Sequence, residues 1–127
     1  MEPAVPARGV VLYVEDDRLN VALVEEIVSL VPGARLHVEG TVAGAIASLG
    51  DDPPAIVLVD LDLPDGSGFE VVAAVTAAHR HPPVLVVTGD VTERAAALAA
   101  EHGAAGVLVK PYRVAELIVA IEAALGG

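Results

Sequence analysis

The 127-residue chain contains no cysteine and no tryptophan, and aromatic residues make up 2% of it. Without cysteine there is no disulfide framework, no Cys-based zinc site and no thiol nucleophile. With so few rings, the core has to be filled with Val, Leu, Ile and Ala. The 54% hydrophobic content supplies them, and such a composition suits buried parallel strands packed against helices. Basic residues are scarce as well: seven Lys+Arg stand against eighteen Asp+Glu, for a formal net charge of −11. A surface that acidic repels nucleic-acid phosphate, so direct DNA binding is not expected. No apolar stretch reaches the ~18 residues of a membrane span, and Met1-Glu2-Pro3-Ala4 lacks the basic start and apolar run of a signal peptide. The expectation is a cytoplasmic protein with no membrane contact. The length fits a single domain over residues 1–127.

What the chain does have is a regular alternation. Short apolar runs rich in β-branched residues recur at Val10 to Val14, Leu36 to Val38, Ala55 to Val59, Val84 to Val87 and Val107 to Val109, and each reads as a buried strand. Segments with helical spacing lie between them. Leu23, Val24, Ile27, Val28 and Val31 form a stripe in the first, and Val114, Leu117, Ile118, Ile121 and Leu125 form one in the last. Pro32-Gly33 closes the first helix, Thr41 can cap the second, Pro53-Pro54 precedes the third strand, and Gly103 can end the fourth helix. That helix, Glu93 to Glu101, is mostly alanine, with Leu98 as its large apolar anchor. Five strands alternating with five helices predict an α/β fold: a five-stranded parallel sheet, doubly wound, with helices on both faces. Ligands in such a fold bind beyond the carboxyl ends of the strands.

The residues at those strand ends are strongly polar. Glu15, Asp16 and Asp17 follow the first run, Asp60 the third, Thr88 the fourth, and Lys110-Pro111 the fifth. Carboxylates crowded in this way raise one another's pKa or recruit a cation. Oxygen ligands without Cys or clustered His favour Mg²⁺. With the metal in place Asp60 can attack a phosphoryl group. Lys110 and Mg²⁺ would stabilise the equatorial oxygens, and Thr88 would donate to one of them.

Four segments then stand together: Val11-Leu12-Tyr13-Val14-Glu15-Asp16-Asp17, Val57-Leu58-Val59-Asp60-Leu61-Asp62-Leu63-Pro64-Asp65-Gly66-Ser67-Gly68, Val86-Val87-Thr88-Gly89 and Val109-Lys110-Pro111. In this order, each at a predicted strand end, they resemble the receiver domain of two-component response regulators, of the single-domain, chemotaxis-regulator-like kind. The resemblance implies a flavodoxin-like (βα)5 three-layer sandwich. It further implies that Asp60 is the phosphoacceptor, that Asp16 binds Mg²⁺ directly and Glu15 through water, and that the backbone carbonyl of Asp62 completes the protein ligands. Thr88 becomes the switch hydroxyl, Lys110 the partner of the phosphoryl group, and Lys110-Pro111 a candidate cis bond. The implied donor is a phosphohistidine on a histidine kinase or histidine phosphotransfer domain, with an unknown downstream protein as output. The opening motif with Asn20 looks like receivers that work with hybrid kinases. The protein is then a signalling switch that catalyses its own phosphorylation and dephosphorylation, not an enzyme on other substrates. A monomer is expected, or a weak homodimer through the last helix, where Ala115 and Val119 add apolar surface.

Two positions depart from the family pattern. Receivers usually place an aromatic residue three positions before the lysine, and here that position is Val107. Asp62, two residues after the acceptor, adds a negative charge near the phosphoryl position. Val107 supports the alternative of a pseudo-receiver acting as a constitutive protein-interaction module. A haloacid-dehalogenase-like phosphatase, suggested by Asp60-Leu61-Asp62, places its paired aspartates after the first strand and so fits the order poorly. Asp65-Gly66 reads as turn chemistry. His37, His79, His81 and His102 show no ligand spacing and read as structural or surface residues.

Overall fold

The chain is described by a computed structural model over residues 9–50, 53–78, 81–89 and 93–126. The N-terminal segment and His79, both read above, lie outside these residues. The elements run β1 (Val10–Val14), α1 (Arg18–Ser29), β2 (Arg35–Glu39), α2 (Val42–Ser48), β3 (Ile56–Val59), β4 (Asp62–Leu63), β5 (Gly66–Ser67), α3 (Gly68–Thr76), β6 (Val84–Thr88), α4 (Glu93–Glu101), β7 (Gly106–Val109) and α5 (Val114–Gly126). Five strands form one parallel sheet in the order β2-β1-β3-β6-β7.

Strand placement follows composition. The central β3, Ile-Val-Leu-Val, is buried throughout, as a parallel strand covered on both faces must be. Edge strand β2, Arg-Leu-His-Val-Glu, exposes Arg35 and His37 while Leu36 packs against the core. The period-2 alternation sorts the core into two halves. Val11, Tyr13, Ile56 and Leu58 pack with Val24 and Ile27 of α1 and Leu117 and Ile121 of α5. Leu12, Val14, Val57 and Val59 pack with Val42 of α2, Val71 and Val75 of α3 and Ala99 of α4. This is the predicted doubly wound sandwich.

Most of the predicted punctuation is present. Gly103, two residues past α4, adopts positive φ, 89°, where glycine is comfortable, whereas α1 already ends at Ser29 with Leu30 as its cap, and Gly33, φ 85°, shapes the turn into β2. Thr41 Oγ1 caps α2 by accepting from Gly44 N at 2.9 Å.

Three expectations about side chains need correction. In α4 the buried anchors are Ala95 and Ala99, while Leu98 is only partly buried. Small side chains let this helix approach the sheet closely, and the helix turns Leu98 to its flank. Leu23 and Val114, assigned to buried stripes, are 46% and 42% exposed. Each sits at the margin of an apolar arc whose centre, Val24-Ile27-Val28 or Leu117-Ile121, takes the contact. The antiparallel ribbon β4-β5 is an addition to the predicted elements, because two-residue strands leave no periodic signal.

Candidate functional site

The site lies at the carboxyl ends of β1, β3, β6 and β7. Parallel pairing sets it: Val14 is in register with Val59, Val59 with Val86, and Thr88 with Val109, so the residues that follow emerge side by side. Asp60 N donates to Val14 O at 3.0 Å and Lys110 N to Thr88 O at 2.7 Å, extending the ladders one residue past the strands. Alternation then decides the face. Glu15 continues the row Val11-Tyr13 and Asp60 the row Ile56-Leu58, both on the α1/α5 side. Thr88 continues Val84-Val86 on the α3/α4 side.

Glu15, Asp16 and Asp60 each offer a carboxylate oxygen, and these oxygens lie within 4.8 Å of one another. Glu15 is 2% exposed and Asp60 9%, whereas Asp16 faces solvent. Lys110 Nζ sits 3.0 Å from Glu15 Oε1 and 3.8 Å from Asp60 Oδ1. Burial, and next the charge of Glu15, push the Asp60 carboxyl up to about 6, with the Lys110 ammonium opposing the rise. One ammonium thus fails to offset a buried carboxylate pair with a third carboxylate beside it. An all-oxygen cluster, partly open to water and short of positive charge, fits a hard divalent cation, for which Glu15, Asp16 and Asp60 are the side chains at hand.

Most other predicted site residues gather here. Thr88 is 3% exposed and, with Asp62, Ser67 and Phe69, lines a cavity of about 350 Å³ beside the acidic cluster. The Asp62 side chain is exposed on the ribbon, apart from the three clustered carboxylates. The Lys110-Pro111 bond is cis. Val107 packs among apolar side chains beneath Thr88, on the face shared with Phe69. Asp17 turns away from the cluster and caps α1, its Oδ1 accepting from Leu19 N at 2.8 Å and Asn20 N at 3.2 Å. His37 pairs with Glu39 at 2.7 Å, and His102 stacks on Phe69 with centroids 5.2 Å apart. His81 is exposed, and its Nδ1 lies 3.0 Å from Pro82 O.

Three further positions matter to the site, of which sequence reasoning singles out Asp65 alone, and only as part of a turn. At Gly68 a Cβ would run into the carbonyl oxygen of Asp60, so a glycine keeps α3 against the loop after Asp60. Asp65 does more than form a turn: its carboxylate accepts from Val42 N at 2.7 Å and Ala43 N at 3.0 Å, tying the loop after Asp60 to the start of α2. These bonds hold its carboxyl below the usual range. Tyr13, fully buried, donates to Glu15 Oε1 at 2.9 Å. Its place two residues before Glu15, on the same strand face, is the signal that could have found it.

Residues 11–122 match the family model described as response regulator receiver domain. The chain belongs to that family. It is 32% identical over 110 residues to the regulatory protein LuxO of Vibrio vulnificus (strain YJ016), an alignment covering 87% of this chain and 24% of that protein. It is 34% identical over 110 residues to protein-glutamate methylesterase/protein-glutamine glutaminase 2 of Anaeromyxobacter dehalogenans (strain 2CP-C), covering 84% of this chain and 31% of that one. The chain thus spans 24% and 31% of these curated relatives' length. Among solved structures, the receiver domain of a putative LuxO repressor from Vibrio parahaemolyticus superposes with a TM-score of 0.84 at 25% identity, covering 94% of this chain and 91% of that one. The Mn²⁺-bound form of response regulator Rcp1 gives 0.74 at 26% identity, with coverage of 91% and 90%. The fold is thus the flavodoxin-like receiver fold, and the family is a signalling switch of two-component systems. Among the described residues, no helix is long and apolar enough to cross a membrane.

Proposed function

We propose that this receiver accepts a phosphoryl group on Asp60 from a phosphohistidine and uses the acyl phosphate to switch protein contacts. The observation that supports this most is the cluster of Glu15, Asp16 and Asp60 oxygens within 4.8 Å, with Lys110 Nζ 3.8 Å from Asp60 Oδ1. Glu15 and Asp16, with the Asp60 carboxylate and the backbone carbonyl of Asp62, would hold Mg²⁺. When bound, that ion neutralises charge on the transferring phosphoryl oxygens. An Asp60 carboxylate oxygen forms the new bond to phosphorus as the bond to the donor imidazole breaks. Lys110 turns its ammonium to one equatorial oxygen, and the Thr88 hydroxyl donates to another. The Mn²⁺-bound relative, similar at 26% identity, supports a divalent ion here.

Residues 1–127 act as one receiver unit in this reading. A histidine kinase or phosphotransfer domain is the donor, and a protein rather than DNA is the output, given the net charge of −11. Cytoplasmic placement and a monomer or weak homodimer complete it. Val107, where an aromatic switch residue is usual, favours a second reading in which the fold is kept as a constitutive interaction module.

The two readings separate by intact mass after incubation with acetyl phosphate, with and without Mg²⁺, for wild type and Asp60→Asn. A gain of one phosphoryl group that requires both Mg²⁺ and Asp60 is expected. No gain from acetyl phosphate or from phosphohistidine donors would leave the constitutive module standing.

A further inference from the structure

Tyr13 is a buried polar side chain that the chemistry above does not use. It is 1% exposed and lies on β1 opposite Leu58 of β3, within the apolar half-core against α1 and α5. In such surroundings a phenylalanine would pack equally well, so the hydroxyl calls for an explanation. It donates to Glu15 Oε1 at 2.9 Å, as a phenolic O–H facing a carboxylate oxygen does.

The same oxygen, Glu15 Oε1, also accepts from Lys110 Nζ at 3.0 Å, while the other, Oε2, accepts from Asp17 N at 3.3 Å. Lys110 is thus held on Glu15, 3.8 Å short of Asp60. Moving toward a phosphoryl group on Asp60 draws the ammonium away from Oε1. The Glu15 side chain is 1% exposed, and a buried carboxylate oxygen stripped of its partner carries a large desolvation penalty. A second donor that stays behind removes much of that penalty.

We propose that Tyr13 is a positioning residue for the phosphoryl-bound state: its hydroxyl keeps Glu15 Oε1 hydrogen-bonded when Lys110 leaves, and so eases the transfer of Lys110 from Glu15 to the phosphoryl group. The proposal rests on the receiver chemistry given above. Tyr13 touches neither Asp60 nor the phosphoryl group, and acts through Glu15 alone.

The experiment measures beryllofluoride affinity at saturating Mg²⁺, Mg²⁺ affinity alone and melting temperature for wild type, Tyr13→Phe, Lys110→Ala and the double variant. Tyr13→Phe is expected to bind beryllofluoride about tenfold more weakly, as removal of one hydrogen bond to a charged group does, with a smaller loss of Mg²⁺ affinity. In the Lys110→Ala background, where no lysine has to leave, the same substitution should have no effect on the anion. Equal losses of Mg²⁺ and beryllofluoride affinity, or additive losses in the double variant, would overturn the proposal by showing Tyr13 to be only a prop for Glu15. A wild type that binds no beryllofluoride with Mg²⁺ overturns the receiver chemistry itself, a result separate from either mutant outcome. A measurement on the wild type guards against a misfolded variant. The hydroxyl proton of Tyr13, followed by NMR, should persist and shift downfield on beryllofluoride binding, and its loss would count against the role assigned here.

Discussion

The two flanks of the pocket are built by different means. On the α1/α5 side, charged and polar side chains from separate strands hold one another: Tyr13 to Glu15, Glu15 to Lys110, Lys110 near Asp60. On the α3/α4 side, backbone fit dominates. Gly68 packs on the Asp60 carbonyl, Asp65 caps α2, and Ser67 and Glu70 form a capping box at the start of α3. On the function proposed above, one flank supplies the chemistry and depends on charge balance. The other holds the loop after Asp60 and depends on shape, so substitutions on the two sides should fail in different ways.

The sharpest contrast comes from Lys110→Ala. Loss of the ammonium removes the donor proposed for the phosphoryl group and also the group that restrains the Asp60 pKa, presently about 6. Mass gain from acetyl phosphate should slow by about 10²-fold in timed mass spectrometry, while a near-native circular dichroism spectrum shows that the fold persists. Gly68→Ala should do the reverse. A methyl group against the Asp60 carbonyl forces the loop or α3 to move, with an expected loss of about 1–3 kcal/mol in denaturant titration. Its effect on phosphoryl uptake should follow from displacement of Asp60 rather than from altered charge.

Asp60→Asn probes the charged flank alone. The folded state holds this carboxyl at about 6, above its ordinary 3.8, so it favours the protonated form. The wild-type stability this represents is present below the ordinary value and lost as pH rises through about 6. Metal-free wild type should therefore melt progressively lower across that window, and Asp60→Asn should not, leaving the variant the more stable near neutral pH. Added Mg²⁺ should raise the wild-type melting temperature by mass action and reverse that order. A metal-free variant that melts below wild type at neutral pH would contradict a crowded acidic pocket.

The smallest effect belongs to Asp65→Ala on the shape-dependent flank. Loss of two capping bonds, one part-buried to Val42 and one exposed to Ala43, should lower the melting temperature slightly at neutral pH. Because folding lowers the Asp65 pKa, its contribution is present above the ordinary Asp range and lost as pH falls through the lower folded value. The two melting curves should converge in acid.

The alternation of apolar runs and helical stripes was enough to specify the five-stranded parallel sheet, its two layers of helices and the strand ends that carry Glu15, Asp16, Asp60, Thr88 and Lys110. Burial of a parallel strand on both faces leaves a continuous Val/Ile/Leu signature, and a polar residue directly after it has to emerge at the sheet's edge. The resemblance in four motifs then assigned roles that spacing could not. Local capping and tertiary contacts together decided which residues turned away. Asp17 resembles its neighbours in sequence but lies at the N-terminus of α1, whose free N–H groups claim its carboxylate. Asp65 meets the start of α2 across 23 positions of sequence, a contact no local pattern encodes. Ala95 and Ala99 displaced Leu98 as anchors because close approach of helix to sheet rewards small side chains. The Tyr13–Glu15–Lys110 chain arises because strand alternation and the order β1-β3-β6-β7 bring residues 95 positions apart within 3.0 Å. Local periodicity determines which face a side chain takes, whereas the partner it finds there depends on how the strands are ordered in space.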